Sequence, residues 1–197
     1  MKDAYLINGG ASKANKRVES DFYPTPPEGT HALMTFLNLP ISVVWEPACG
    51  NGSMAQVIKS YGHHVKSTDL RVTGFGEGNV DFLKTKFSCD AIITNPPFNV
   101  SAAFIEHAMP QAPIVAMLLK SQYWHAVKRT KLFSSHPPAF VLALNWRLDF
   151  NFLESDKGHS PLMDMIWTVW ISGSRDTRYK ILQKPPCKVT QQGIVFA

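Results

Sequence analysis

The residues with the clearest chemical capacity are Asn95-Pro96-Pro97-Phe98, which directly follow an apolar run at 90–94. Asn95 offers its side-chain oxygen as a hydrogen-bond acceptor. The backbone carbonyl of Pro96 is a second acceptor, and Pro97 fixes its direction by holding Pro96 extended. Phe98 adds a face on which a base can stack, a contact worth roughly 1–3 kcal/mol. Together these groups suit a small site that holds a planar amino group.

The exocyclic amine of adenine is a poor nucleophile because its lone pair is delocalised into the ring. Two acceptors on its two N–H groups draw the nitrogen toward tetrahedral geometry and free that lone pair. No general base is needed at the start, since the amine can lose its proton after a methyl group arrives. Catalysis would then rest on positioning and aligned acceptors. The structural alternative is a Pro-rich turn that caps a strand.

A second group of residues forms a glycine-rich turn after an apolar run at 42–46 that ends in Glu46. Gly50 and Gly52 allow positive φ and close approach of a ligand to bare backbone. The helix start behind them offers N–H donors to a carboxylate. The next strand, at 64–68, is followed by Asp69, in a position where an acid typically binds ribose hydroxyls. The alternative is a glycine turn beside a solvated Asp.

A third element is the pair Asp81-Phe82, which precedes the strand that leads to Asn95. An acceptor beside an aromatic ring suits the amine and the flat face of an adenine. The alternative is a surface Asp next to a core Phe.

These elements occur in an order that resembles the S-adenosylmethionine-dependent amino methyltransferases that act on DNA, and above all the small phage and prophage adenine-N6 methyltransferases. The resemblance spans about residues 20–172. It implies that the glycine turn and the first acid hold the methionine part of the cofactor, the second acid the ribose, Asp81-Phe82 the adenine, and 95–98 the target amine. The cofactor residues implied are Tyr23, Thr25, Glu46, Pro47, Ala48, Gly50, Gly52, Asp69, Asp81, Phe82 and Asn95.

Tyr23 and Thr25 belong to a stretch, 21–26, that resembles the N-terminal cofactor-side motif of that family. Thr25 also has a structural interpretation. With Thr25 as N-cap, Pro26 at the first helical position and Glu28 closing a capping box, the sequence predicts a helix start.

Two segments are candidates for contact with the substrate. The segment 121–138 mixes basic residues with aromatic ones, as a nucleic-acid contact should. The segment 145–150 resembles an Arg-x-x-Phe stretch near the target base, with Phe150 as a second stacking wall and Trp146 or Phe152 as alternatives. The predicted substrate-binding residues are Phe98, Tyr123, Trp124, Lys128, Arg129, Arg147 and Phe150.

Composition is consistent with a nucleic-acid enzyme. The 197 residues carry a formal charge of +5, which suits a polyanionic partner, DNA in single or double strands. Three cysteines without metal spacing predict reduced thiols, a cytoplasmic location and no metal. No run is long enough to span a membrane. We expect a flexible basic leader at 1–20, then one catalytic domain at 21–197, acting as a monomer or weak dimer.

The domain leaves no room for a separate large target-recognition domain, so a short or relaxed recognition site is expected. An adenine inside a duplex would have to be flipped out, at a cost of a few kcal/mol.

The apolar pattern alternates between strand-like and helical segments. It predicts an α/β sheet with ligands at the carboxyl ends of its strands and an antiparallel C-terminal hairpin. Together with the resemblance, this implies a Rossmann-like methyltransferase fold, with a mostly parallel seven-stranded sheet and helices on both faces. Predicted strands are 42–46, 64–68, 90–94, 114–119, 139–144 and 163–171. Predicted helices are 26–37, 53–61, 101–109 and 121–133, and 184–192 is predicted as a loop or edge.

Two other interpretations stay open. One is a methyltransferase that acts on another planar amine: an RNA adenine, cytosine N4 or a protein glutamine. The other is a catalytically silent nucleic-acid-binding protein that keeps the fold. A dinucleotide dehydrogenase is disfavoured, because nothing in the chain resembles a hydride-transfer site.

Overall fold

Strands and helices alternate along the computed structural model, which describes residues 24–40, 42–150, 163–190 and 193–196, with side chains up to 186. The helices are α1 (Pro27–Leu37), α2 (Ser53–Ser60), α3 (Ser101–Ala108) and α4 (Thr130–Ser135). The strands are β1 (Val43–Glu46), β2 (His64–Ser67), β3 (Ala91–Thr94), β4 (Ile114–Lys120), β5 (Phe140–Leu144), β6 (Met165–Ile171), β7 (Arg178–Leu182), β8 (Cys187–Thr190) and β9 (Gly193–Phe196). The predicted leader at 1–20, Tyr23 and Phe152 lie outside the described residues.

Seven strands form one mixed sheet in the order β2-β1-β3-β4-β6-β5-β7. Strands β1 to β4 pair in parallel, β6 runs antiparallel to both β4 and β5, and β7 pairs in parallel with β5. This confirms the predicted fold class. From β1 the chain passes to β2 on one side and to β3 on the other, so the strand order reverses beside β1. In open α/β sheets, that is where ligands bind, at the carboxyl ends of the strands.

Alternate residues of each central strand enter two different hydrophobic cores, one on each face of the sheet. Val44 packs into the core that contains Leu33 of α1 and Ile58 of α2. Its neighbour Trp45 packs into the opposite core, with Ile105 of α3. The prediction of helices on both faces is therefore confirmed. Because both faces are buried, the strand ends that carry the site have little freedom to move.

The predicted single helix at 121–133 is wrong. The chain forms two 3₁₀ turns, Ser121–His125 and Val127–Arg129, before α4 begins. Ala126 separates the two turns with an extended backbone, φ −96° and ψ 115°. The broken path places Trp124 flat against Phe133, with ring centroids 3.9 Å apart. Tertiary packing of the aromatic rings thus overrides helix propensity here.

The sequence pattern also missed β7, which has four exposed residues out of five. A strand with this burial carries no alternating apolar signal. It is recognisable only from its pairing with β5. The stretch predicted as a loop or edge at 184–192 contains β8, which pairs with β9 in a separate antiparallel hairpin.

Candidate active site

A cleft opens at the carboxyl ends of β1 and β3. The cleft is bounded by the glycine turn, the segment before α1 and the loop after β3. The predicted site residues that line it are Thr25, Glu46, Ala48, Gly50, Asn95, Pro96, Pro97 and Phe98. Thr25 and Asn95, which are 70 positions apart in the chain, therefore meet at one place.

The glycine turn follows β1 and is closed by a hydrogen bond from Gly52 N to the Cys49 carbonyl, 2.8 Å. Gly50 and Gly52 have φ of +52° and +83°, which a side chain would strain. A Cβ at Gly52 would also lie 2.5 Å from the ring of Phe75. Gly52 is needed both for its backbone angle and for the space above it, and it lies just beneath the cleft rather than in its lining.

Asp69 does not line the cleft but fixes the turn that does. It is 3% exposed. One carboxylate oxygen accepts a hydrogen bond from Gly50 N at 2.9 Å. The other accepts from the backbone N–H and the Nε of Arg71, at 2.9 and 3.2 Å. The predicted ribose acid therefore already joins the end of β2 to the glycine turn.

Glu46, the last residue of β1, is a buried acid with an unsatisfied oxygen. It is 2% exposed, and among the described residues its Oε2 has no hydrogen-bond partner. Burial raises the pKa of this carboxyl well above its ordinary value, and the Asp69 carboxylate adds to the rise. The backbone amide of Ala55 and the more distant Lys59 act in the opposite direction. A cationic ligand in the cleft would relieve this penalty.

Asn95 follows β3 and donates from Nδ2 to Thr25 Oγ1, 3.1 Å away. Its Oδ1 is buried and has no partner among the described residues. The loop behind Asn95 is fixed, because the Pro97 carbonyl accepts from Val100 N at 3.1 Å and from Ser101 Oγ at 3.0 Å. The amide thus keeps one acceptor atom available, as the sequence predicted for a residue that binds an amine.

The capping box predicted for α1 is wrong. The N-cap is Pro26, the helix begins at Pro27, and no side chain of the described residues caps it. The Thr25 hydroxyl is instead bonded to Asn95. Thr25, which the sequence predicted to cap a helix locally, thus forms a contact with a residue 70 positions away.

Phe98 lines the cleft, and a cation already lies over its ring. Lys120 Nζ is 3.9 Å from the ring centroid. A base that stacks on this ring must use its other face or displace the ammonium group. Lys120 ends β4, so the segment 121–138 begins at the rim of the cleft.

The structure does not bring Asp81 and Phe82 to the cleft. Phe82 is 2% exposed and packs edge-on against Trp45, with centroids 4.9 Å apart. Asp81 accepts from Leu83 N as the N-cap of a short 3₁₀ turn and pairs with Lys84 at 3.1 Å. Pro47 is likewise buried and does not line the cleft.

Most of the predicted substrate-contact residues also have structural roles. Tyr123 and Phe150 are buried in the core. Arg129 lies over the Tyr123 ring at 3.4 Å, and burial raises the pKa of that tyrosine. Arg147 pairs with Asp164 at 2.7 Å. Lys128 is exposed.

Some cleft residues were missed by the sequence analysis. Asn51 and Ser53 belong to the glycine turn itself, and Arg71 comes two residues after Asp69. Their closeness in sequence to a motif was the signal that could have identified them as cleft residues. The missed residues are Pro24, Cys49, Asn51, Ser53, Met54 and Arg71. Burial raises the pKa of Cys49 to about 12, which disfavours a nucleophilic thiolate.

In the described parts of the chain, no group of three or more His, Cys, Asp or Glu side chains is placed to hold a metal ion. Within the same residues, no helix has the length and apolar character needed to cross a membrane.

No protein-family model matches the chain, and no curated protein matches it. Solved structures do match. A type I restriction-modification methyltransferase subunit from Streptococcus thermophilus superimposes with a TM-score of 0.63 at 12% identity, over 89% of this chain and 50% of that one. A protein named as a candidate RNA methyltransferase from Pyrococcus horikoshii gives 0.62 at 15% identity, over 80% and 90%. A dimethyladenosine transferase from Plasmodium falciparum gives 0.54 at 14% identity, over 76% and 63%. At these identities, the likeness shows a shared Rossmann-like methyltransferase fold.

We expect Glu46→Gln to stabilise the ligand-free protein at neutral pH. A carboxyl whose pKa is raised by folding supplies stability that is complete below its ordinary pKa, near 4.5, and is lost as pH rises through the raised value. Glutamine does not titrate, so this loss should vanish. Urea unfolding measured from about pH 5 to 9 checks it, with Glu106→Gln, at an exposed position on α3, as the control. Equal pH dependence of the wild type and Glu46→Gln would contradict the assignment.

We expect Gly52→Ala to destabilise the protein more than Gly74→Ala. Both glycines have almost the same φ, +83° and +82°, so both variants carry the αL cost of about 1–2 kcal/mol. A Cβ at Gly52 meets the Phe75 ring, whereas a Cβ at Gly74 would have no atom of the described residues within 4 Å. Chemical denaturation of the two variants isolates the steric contribution. Equal losses of unfolding free energy in the two variants would show that the Phe75 ring moves aside with no measurable loss of stability.

Proposed function

We propose that this chain transfers a methyl group from S-adenosylmethionine to the exocyclic N6 amine of adenine in DNA. One observation carries the proposal: within the described part of the chain, the same cleft holds an amide whose acceptor oxygen has no partner, on Asn95, and a buried carboxyl oxygen without a partner, on Glu46. The first suits an amino group that must be bound through its hydrogens. The second suits a cation. An amine substrate and a cofactor with an ammonium group supply both.

The cofactor fits the residues that are present. Glu46 would bind its ammonium group, which removes the penalty of a buried, unpaired carboxylate. Its carboxylate would lie beside the start of α2, where the side-chain amide of Asn51 can donate to it. Gly50, whose N–H is already bonded to Asp69, would leave room for it because it has no Cβ. Arg71, on the cleft wall beside Asp69, borders the expected ribose position. When bound, S-adenosylmethionine supplies an electrophilic methyl group.

The chain's own residues would activate the amine by hydrogen bonding. Asn95 Oδ1 accepts one N–H, and the Pro96 carbonyl accepts the other. Both acceptors are fixed before the substrate arrives, because the loop is held by bonds to the Pro97 carbonyl and Asn95 by Thr25. Preorganised dipoles of this kind lower the barrier without reorganisation during the reaction. The amine releases its proton to solvent after the methyl group has been transferred.

Base recognition would rest on Phe98, the one aromatic residue that lines the cleft in the described part of the chain. A flipped adenine would stack on the Phe98 ring. Lys120, which lies over this ring, would either remain on the opposite face or be displaced by the base. Flipping from a duplex costs a few kcal/mol, which a single-stranded substrate would avoid.

DNA as the polymer is supported by the resemblance of the motifs 46–52 and 95–98 to phage-type enzymes, and by the restriction-modification subunit with the same fold. RNA is the second candidate. Two proteins that share the fold are named for RNA and dimethyladenosine chemistry. We place recognition in the short segments 121–138 and 145–160, of which 151–160 lies outside the described residues. A short or relaxed target sequence follows from that placement.

Asn95→Ala should lower the rate of methyl transfer to DNA by about 100-fold or more. The Kd of S-adenosylmethionine should change by no more than a few-fold. The assay uses labelled S-adenosylmethionine, adenine-rich DNA in single and double strands, and identification of N6-methyladenine. Calorimetry measures cofactor binding. Asn99→Ala is the matched control, because Asn99 is exposed and does not line the cleft.

Transfer by the wild type that is lost in Asn95→Ala and kept in Asn99→Ala supports the proposal. Label on RNA, cytosine N4 or a glutamine amide, but not on DNA, would overturn the substrate assignment. DNA binding without saturable cofactor affinity would indicate a silent binding protein. Sequencing that reveals one long, strictly recognised site would contradict recognition by short segments.

Replacing both Lys128 and Lys131 by Ala should weaken DNA binding and make it less dependent on salt. Both side chains are exposed in the segment that begins at the cleft rim. Each lysine that contacts a phosphate contributes about 0.9 to the slope of log K against log salt on duplex DNA. Binding titrations from low to high salt measure the slope, and Lys180→Ala on β7 is the control. An unchanged slope in the double variant would show that DNA does not lie along this segment.

A further inference from the structure

We infer that Thr25 is a positioning residue for the amine-binding amide of Asn95, rather than only a residue on the cofactor side. The inference rests on the proposed function, since it concerns how that site is preorganised. It assigns to the segment before α1 a role in substrate activation that the order of the motifs does not suggest, because 70 positions separate Thr25 from Asn95.

The contact is direct and partly buried. Asn95 Nδ2 donates to Thr25 Oγ1 at 3.1 Å, and Thr25 is 5% exposed. Both residues line the same cleft. The other end of the amide, Oδ1, has no partner among the described residues. Thr25 therefore uses the donor end of the amide and leaves the acceptor end for a ligand.

The backbone around Thr25 is unusually restricted. Pro24 and Pro26 flank it, so both neighbours have a fixed φ and Thr25 itself is held away from the helical region. Pro26 then serves as the N-cap of α1, whose first turn is tied down by a bond from Gly29 N to the Pro26 carbonyl at 3.1 Å. The Thr25 hydroxyl is thus held in place by a conformationally restricted backbone.

The orientation of the amide decides whether the site can work. With Nδ2 on Thr25, Asn95 offers an acceptor to the target amine. Turned by 180°, it would offer an NH2 group, and two donors would face each other. A valine at position 25 has nearly the shape of threonine but offers no acceptor to Nδ2. It leaves buried donor hydrogens unsatisfied and removes the bond that holds the amide in its productive orientation.

The test compares Thr25→Val with Thr25→Ser. We expect kcat to fall about tenfold or more in Thr25→Val, with the Kd of S-adenosylmethionine unchanged, and we expect Thr25→Ser to recover most of the rate because it restores the hydroxyl. Thr30→Val is the matched control. Thr30 is also a buried threonine, in α1, but its hydroxyl has no partner among the described residues, so its replacement should leave kcat unchanged.

A second readout does not depend on turnover. Binding is measured, with S-adenosylhomocysteine present, for an oligonucleotide of deoxyadenosines and for one of deoxynebularines, which lack the 6-amino group. The wild type should prefer the deoxyadenosine strand. Thr25→Val should lose that preference, and Thr25→Ser should keep it.

Three results would overturn the inference: full activity in Thr25→Val, a lower cofactor affinity that accounts for the whole loss, or an adenine preference that survives the change to valine. Failure of the proposed function is distinguishable, because then the wild type itself would transfer no methyl group to DNA. Thermal unfolding of all variants identifies a loss that comes from instability, in which case Thr25→Ser would not separate from Thr25→Val and the positioning role is rejected.

Discussion

The carboxylate of Asp69 is the interaction on which the rest of the site depends. It lies at the end of β2, nearly sealed from solvent, and binds Gly50 N of the turn after β1 as well as the backbone and side chain of Arg71. Hydrogen bonds to a charged acceptor are about twice as strong as neutral ones. Because two strand ends are joined this way, the glycine turn, the start of α2 and the position of Glu46 are set together.

The unsatisfied polar groups of the cleft lower the stability of the ligand-free fold. Glu46 and Asn95 each have a buried oxygen that finds no partner in the segments that the structure describes, and a group of this kind costs about 1–3 kcal/mol. The surrounding fold tolerates the cost because the strands beneath are packed on both faces, by Leu33 and Ile58 on one side and Ile105 on the other. Two unsatisfied oxygens that belong to residues lining one cleft are typical of a site that a ligand completes.

The aromatic side chains that the sequence proposed for cofactor or substrate contact are mostly committed to packing. Phe82, Tyr123 and Phe150 are in the core, and Trp124 stacks on Phe133. Phe98 remains at the cleft, under the ammonium of Lys120. Affinity for a nucleic acid would therefore come chiefly from exposed cations along 121–138. Such contacts with phosphates position a polymer without reading its sequence.

By itself, the sequence determined the fold class and most of the cleft, because apolar period, glycines and acids at strand ends are local signals. Glu46, Gly50 and Asn95 needed only the rule that ligands bind at the carboxyl ends of parallel strands. Tertiary structure alone decided the rest. β7 is too exposed for its sequence to show an alternating apolar pattern. Thr25 does not cap α1, and its hydroxyl is bonded to Asn95 instead. Phe82 and Phe150 turned inward because a ring gains more by burial than by facing water. Each of these outcomes depends on a contact between distant positions, which no window of sequence contains.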